Sequence, residues 1–169
     1  TMVTSVEAPR NARPVEGVKE HITSRRVPGF NAPSSGNALA SRVPLMFNAD
    51  CVIAVARPDA ADPEARFYKN ADSDEVVFIH DGTGTLHTMF GDLAYKPGDY
   101  LVVPRGVIHR WSPEKGSDQR WLVIESAQPI VTPKRYRNHF GQLLEHSPYC
   151  ERDFRSPELQ EPVNQTGAF

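Results

Sequence analysis

The feature that most constrains this chain is its punctuation. From residue 51 to residue 128, short β-branched and aromatic runs are broken by Gly, Pro, Asp or Asn. The runs cover residues 51–58, 75–82, 83–99, 100–106, 108–113 and 120–128. Their turn signals recur at about the 8–12-residue spacing of a β-sandwich or barrel. No long segment repeats apolar residues at the helical period, and 15 prolines in 169 residues suit loops and strand edges better than helices. The expectation is an all-β jelly roll over residues 44–128, with an extended arm over 1–43 and a second arm or linker over 129–169. One short helix is expected near 141–146. The segment 83–99 reads as a hairpin turning at Gly91-Asp92, and Gly82-Thr83-Gly84 as a second hairpin turn.

Strand parity adds a layer. In "EVVFIH", Glu75, Val77 and Ile79 share one face, while Val76, Phe78 and His80 share the other. Further on, Trp121, Val123 and Glu125 alternate with Leu122, Ile124 and Ser126. Both faces are largely apolar, so the outer one is expected to be covered by an arm, another domain or a partner subunit.

Composition removes several function classes. A net charge of −2 without a Lys/Arg block gives no surface for nucleic acid. No apolar run has the length of a membrane span, and the first residues lack a signal-peptide core, so a cytoplasmic protein is expected. The cysteines, Cys51 and Cys150, are far apart and form no CxxC pair. Cys150 has no basic neighbour pattern that would make it a nucleophile.

Chemistry concentrates in "YKPGDYLVVPRGVIHRW" (95–111). Gly98, Pro104, Gly106 and His109 fit G-x5-P-x-G-x2-H, and Glu75 with Gly82 fits E-x6-G. The two patterns resemble the motifs of the cupins, small double-stranded β-helices. The first cupin motif also carries a histidine pair, but its positions hold Lys69 and Ala71, or Tyr68 and Asn70 if the spacing slips. A non-haem Fe(II) site uses two imidazoles and one carboxylate. Glu75 and His109 are therefore the candidate metal ligands, with His87 as a possible third. His80 has the wrong parity, and Lys69 would repel a cation. The other reading is a structural pair, because a buried Glu75 needs a partner, with Lys69 or His109 as candidates.

A closer resemblance rests on two stretches. "FYKNADSDEVVFIHDGTGTLHTMFGDLAYKPGDYLVVPRGVIHRW" and the following "KRYRNHFGQLLEHSPYCERDFRSPE" are similar to the bacterial branch of homogentisate 1,2-dioxygenase. That family has two cupin-like halves, and the resemblance is to the first. It implies that Fe(II), its ligands and the assisting histidine lie in a second half, leaving this segment structural and without cofactor or catalytic residue. It also implies a small aromatic acid and dioxygen as substrates, ring opening to maleylacetoacetate, and homo-oligomers of trimers paired into hexamers. Two alternatives stay open. One is a stand-alone cupin metalloenzyme using Glu75, His109 and His87. The other is a metal-free cupin that binds a small molecule. Arg135, Arg137, His139 and His146 read as an anion-binding patch or as a linker whose charges hold a neighbouring domain.

Overall fold

The structure is a computed structural model that describes residues 26, 28–59 and 66–161. The expected arm over 1–43 falls mostly outside these residues. Eight strands form two antiparallel sheets. β1 (Val43–Phe47), β2 (Cys51–Ala56), β3 (Asp74–Asp81), β6 (Tyr100–Val103) and β8 (Arg120–Ser126) build the larger, in the order β1-β2-β8-β3-β6. β4 (Gly84–Thr88), β5 (Gly91–Tyr95) and β7 (His109–Pro113) build the smaller, in the order β5-β4-β7. β1 was not legible as a strand. Its Pro44 lacks an N–H, and β1 sits at the sheet edge with a register shift between Pro44 and Met46, where such a residue is tolerated.

The sheets face each other across one core. Val77 and Ile79 of β3 and Trp121 and Val123 of β8 meet Leu86 of β4, Tyr95 of β5 and Trp111 of β7, all buried. The Trp111 and Trp121 rings lie 4.7 Å apart, with Tyr95 edge-on to both. This aromatic centre needs one polar tie. The buried Gln119 accepts from Trp121 Nε1 at 3.1 Å and donates to the Thr83 carbonyl at 2.7 Å. Gly82 runs against that side chain with φ of 97°, so a Cβ there would collide with the Gln119 amide.

The parity of β3 is as expected: Glu75, Val77 and Ile79 are buried, Val76 and Phe78 half-buried, and His80 exposed. Three local expectations are corrected. Residues 141–146 form no helix: Asn138 Oδ1 accepts from the Phe140 and Gln142 amides and closes a tight turn, the usual way Asn diverts a backbone from helix. The β4–β5 hairpin turns at Met89-Phe90, two residues early, because Thr88 Oγ1 takes the Phe90 amide and donates to the Gly91 carbonyl. Gly82-Thr83-Gly84 is a crossover, not a hairpin, since β3 and β4 belong to different sheets.

The flanking segments return to the barrel. Ser34 and Ser35 hydrogen-bond the Arg57 carbonyl. On the other side, Arg155 reaches the Ala94 carbonyl at 3.2 Å and Asp99 at 2.6 Å. The chain at Glu158 passes so close to Gly91 (φ 127°) that a Cβ there would strike the Glu158 carbonyl.

Candidate functional site at the polar end of the barrel

The inner face changes character at the start of β3 and the end of β8. Glu75 and Glu125 are direct cross-strand partners, two carboxylates on the face that continues as Val77, Ile79, Val123 and Trp121. Like charges so placed repel, and the burial of Glu75 raises the cost further. The neutralising charge is Arg42, from the segment just before β1. Its Nη1 donates to Glu125 Oε1 at 2.8 Å and to Glu75 Oε1 at 3.2 Å, while Nη2 donates to Glu75 Oε2 at 2.7 Å. Asn70 Nδ2 donates to Glu75 Oε1 at 2.9 Å. Glu75 is completely buried. Its hydrogen-bond partners are thus Arg42 and Asn70 in place of the expected Lys69 or His109.

These contacts set the protonation states. Burial pushes the Glu75 carboxyl up, but the Arg42 charge and the Arg42 and Asn70 hydrogen bonds outweigh it and hold Glu75 below its ordinary value. Burial would lower the Arg42 guanidinium, yet Glu75 and Glu125 raise it, so it stays charged. The Tyr68 phenol is raised, first by burial and then by Glu75.

His109 opens β7 on the same inner face, fully buried behind the turn at 104–106. Tyr68 brackets its backbone with hydrogen bonds of 2.7 and 2.8 Å and meets its ring edge-on at 5.3 Å. Nδ1 lies 2.9 Å from the Val107 carbonyl, which can only accept, so Nδ1 carries the proton. Burial lowers the imidazole's pKa, partly offset by the Val107 carbonyl and Glu75. His109 is therefore neutral, with an Nε2 lone pair that has no partner among the described residues.

The structure brings Glu75 and His109 to one end of the barrel and leaves His87 out. β4 alternates, and buried Leu86 faces the core while His87 points outward, where Nδ1 meets Asp92 at 2.8 Å. Both oxygens of Glu75 are engaged by N–H donors, one a permanent cation. Among the described residues no group of three or more His, Cys, Asp and Glu is placed to hold a metal ion. Fe(II) does not fit this donor set. Arg105, a loop-tip residue, bonds Asp74 through its backbone N–H at 2.9 Å and the Ala127 carbonyl through its side chain at 2.9 Å.

Sequence reasoning missed Arg42, Asn70 and the pairing of Glu125 with Glu75. A signal existed, because parity groups Glu75 with Val77 and Ile79, and Glu125 with Trp121 and Val123. Two facing carboxylates, one of them buried, call for a cation, and Arg42 directly precedes the first strand.

Comparison with known proteins places this geometry. Residues 58–125 match the family described as "Cupin domain". Over 126 residues the chain is 38% identical to a protein of Saccharolobus solfataricus named "Putative dioxygenase", covering 75% of this chain and 32% of that protein. The chain thus spans about a third of the relative it matches. Among solved structures, one titled a putative mannose-6-phosphate isomerase of Ralstonia eutropha JMP134 superposes with a TM-score of 0.53 at 21% identity, over 61% of this chain and 98% of that one. An uncharacterized protein with a double-stranded β-helix domain from Klebsiella pneumoniae superposes at 0.51 and 16% identity, over 62% and 91%. The fold is a cupin double-stranded β-helix. No helix among the described residues is long and apolar enough to cross a membrane.

Proposed function

We propose that this chain is a non-catalytic cupin domain of a ring-cleaving dioxygenase resembling homogentisate 1,2-dioxygenase, acting in fold and assembly while iron, the aromatic acid and dioxygen meet elsewhere. The observation that carries this reading is the Arg42–Glu75 pair: the carboxylate expected at a cupin metal site is buried on a guanidinium instead. The 38% identity to a protein named as a dioxygenase supports the reaction class. The homogentisate assignment rests on the resemblance of "QLLEHSPYCERDFR". Exposed Tyr100 and Val102, beside half-buried Phe78, support an oligomer packed on the outer face.

An oxygen electrode tests it. The chain supplied with Fe(II) and homogentisate should consume no oxygen, and a longer protein containing it should consume oxygen with a kcat that survives His109→Gln. Turnover by the chain alone, abolished by His109→Gln, would contradict the reading.

A second reading, a metal-free barrel that takes a small hydroxylated molecule, is favoured by two inner-face groups that have no hydrogen-bond partner among the described residues. These are the His109 Nε2 acceptor and the Trp111 Nε1 donor. A saturable change in Trp fluorescence with such a compound, lost in His109→Ala, would support it.

A further inference from the structure

The groups around Glu75 are arranged for one shape of cation. We propose that the Arg42 guanidinium is the resident cation of this barrel, seated by Glu75 and Glu125, and that the seat is specific for planar guanidinium-type cations over divalent metal ions. This does not rest on the ring-cleaving reading, because the two carboxylates need a counter-charge whatever the protein does.

Three observations support it. First, the acceptors are spread around a fork instead of converging on a point. Arg42 spends Nη2 on one Glu75 oxygen and Nη1 on the other, and Nη1 also reaches Glu125. A planar, multi-donor cation satisfies such an array, whereas a compact ammonium or metal ion cannot reach all of it. Second, Asn70, the other side chain bonded to Glu75, is locked in the sense that disfavours a metal. Asn70 Oδ1 accepts from the Asp72 and Ser73 amides at 3.1 and 3.0 Å, so the amide cannot rotate its oxygen inward and presents N–H to Glu75. An N–H pointing into a seat disfavours a metal. Third, the seat is held by cross-strand pairing. Glu75 and Glu125 face each other across β3 and β8, so the carboxylates stay juxtaposed when Arg42 is removed.

Chemical rescue tests the proposal. Arg42→Ala should lower the melting temperature by about 10 °C, the effect of stranding a buried carboxylate in a domain of this size. Millimolar methylguanidinium should restore most of that loss saturably, and equimolar methylammonium or Co(II) should not. None of the three should shift the wild-type protein. Arg42→Lys, which keeps the charge and loses the fork, should regain only part of the loss. Rescue by Co(II) with visible d–d bands, rescue equally by methylammonium, or no rescue by methylguanidinium would overturn the proposal. If Arg42→Ala gives no soluble protein, Glu125→Gln decides. A melting temperature several degrees below wild type, with no Co(II) uptake by elemental analysis, agrees with the seat. An unchanged melting temperature or stoichiometric Co(II) overturns it.

Discussion

In the middle of the barrel, the tilted rings of Trp111 and Trp121 pack 4.7 Å apart and one buried Gln119 ties Trp121 to the backbone. At the end of the same inner face, Glu75, Glu125 and Arg42 form a charged knot whose central carboxylate is equally inaccessible. The centre is held by apolar burial and shape, which tolerate similar substitutes. The knot is held by the balance of three charges, which tolerates none singly. A buried ion pair adds little net stability compared with an apolar pair of similar volume, but losing one partner is severe. The difference separates what folds the barrel from what determines the chemistry its end can do.

The largest expected effect is at the centre. Trp121→Ala should cost about 3–5 kcal/mol in urea unfolding, from lost burial plus the cavity left behind. A loss under about 1 kcal/mol would mean that the two sheets do not share this core. Next comes the knot. Arg42→Ala should cost about 3 kcal/mol, while Arg42→Met with Glu75→Leu should cost less than the single change, because the fully buried carboxylate is removed with its partner and only half-buried Glu125 is left. Additive losses would show that the two side chains do not interact.

Acid should distinguish the two regions. Glu75 and Asp74 sit below their ordinary carboxyl values, Asp74 because the Arg105 and Ile130 amides and the Arg105 side chain outweigh its burial. His109 also sits below its ordinary value. The unfolded chain therefore binds more protons than the folded one, and stability rises with pH. The His109 contribution is complete above the unfolded value of 6.5 and is lost as pH falls through the lower folded value. The carboxylate contributions are complete above 4.5 for Glu75 and 3.8 for Asp74, and fade below them. Urea midpoints from pH 8 to 4 should fall for the wild type, and the part of the fall that begins below pH 6.5 should flatten in His109→Gln. The smallest effect is expected far from both regions. Arg155→Ala removes an exposed ion pair to Asp99 and should change stability by about 0.5 kcal/mol or less.

Much of this fold was legible in the sequence. The runs at 51–58, 75–82, 100–106, 108–113 and 120–128 each contain a strand, because β-branched residues between Gly and Pro breakers leave few other conformations. The errors cluster where one side chain captures the backbone: Thr88 moved the hairpin turn, and Asn138 replaced a helix with a turn. At the site, the motifs located Glu75 and His109, and parity turned Glu75 inward. What spacing could not give was the partner, since Arg42 lies 33 residues from Glu75 and meets it only through the fold. His87 was misplaced for a related reason: proximity on a hairpin does not decide which face of the sheet a residue occupies.

The central claim is that Arg42 is the cation of the polar end and that the histidine there is neutral. Nitrogen-15 NMR of the His109 ring tests this most directly. The account predicts a neutral imidazole protonated at Nδ1 at pH 7 and above, with Nε2 resonances unmoved by one equivalent of Zn(II). An Nε2 resonance displaced by stoichiometric Zn(II), or a ring already doubly protonated at pH 7, would contradict it.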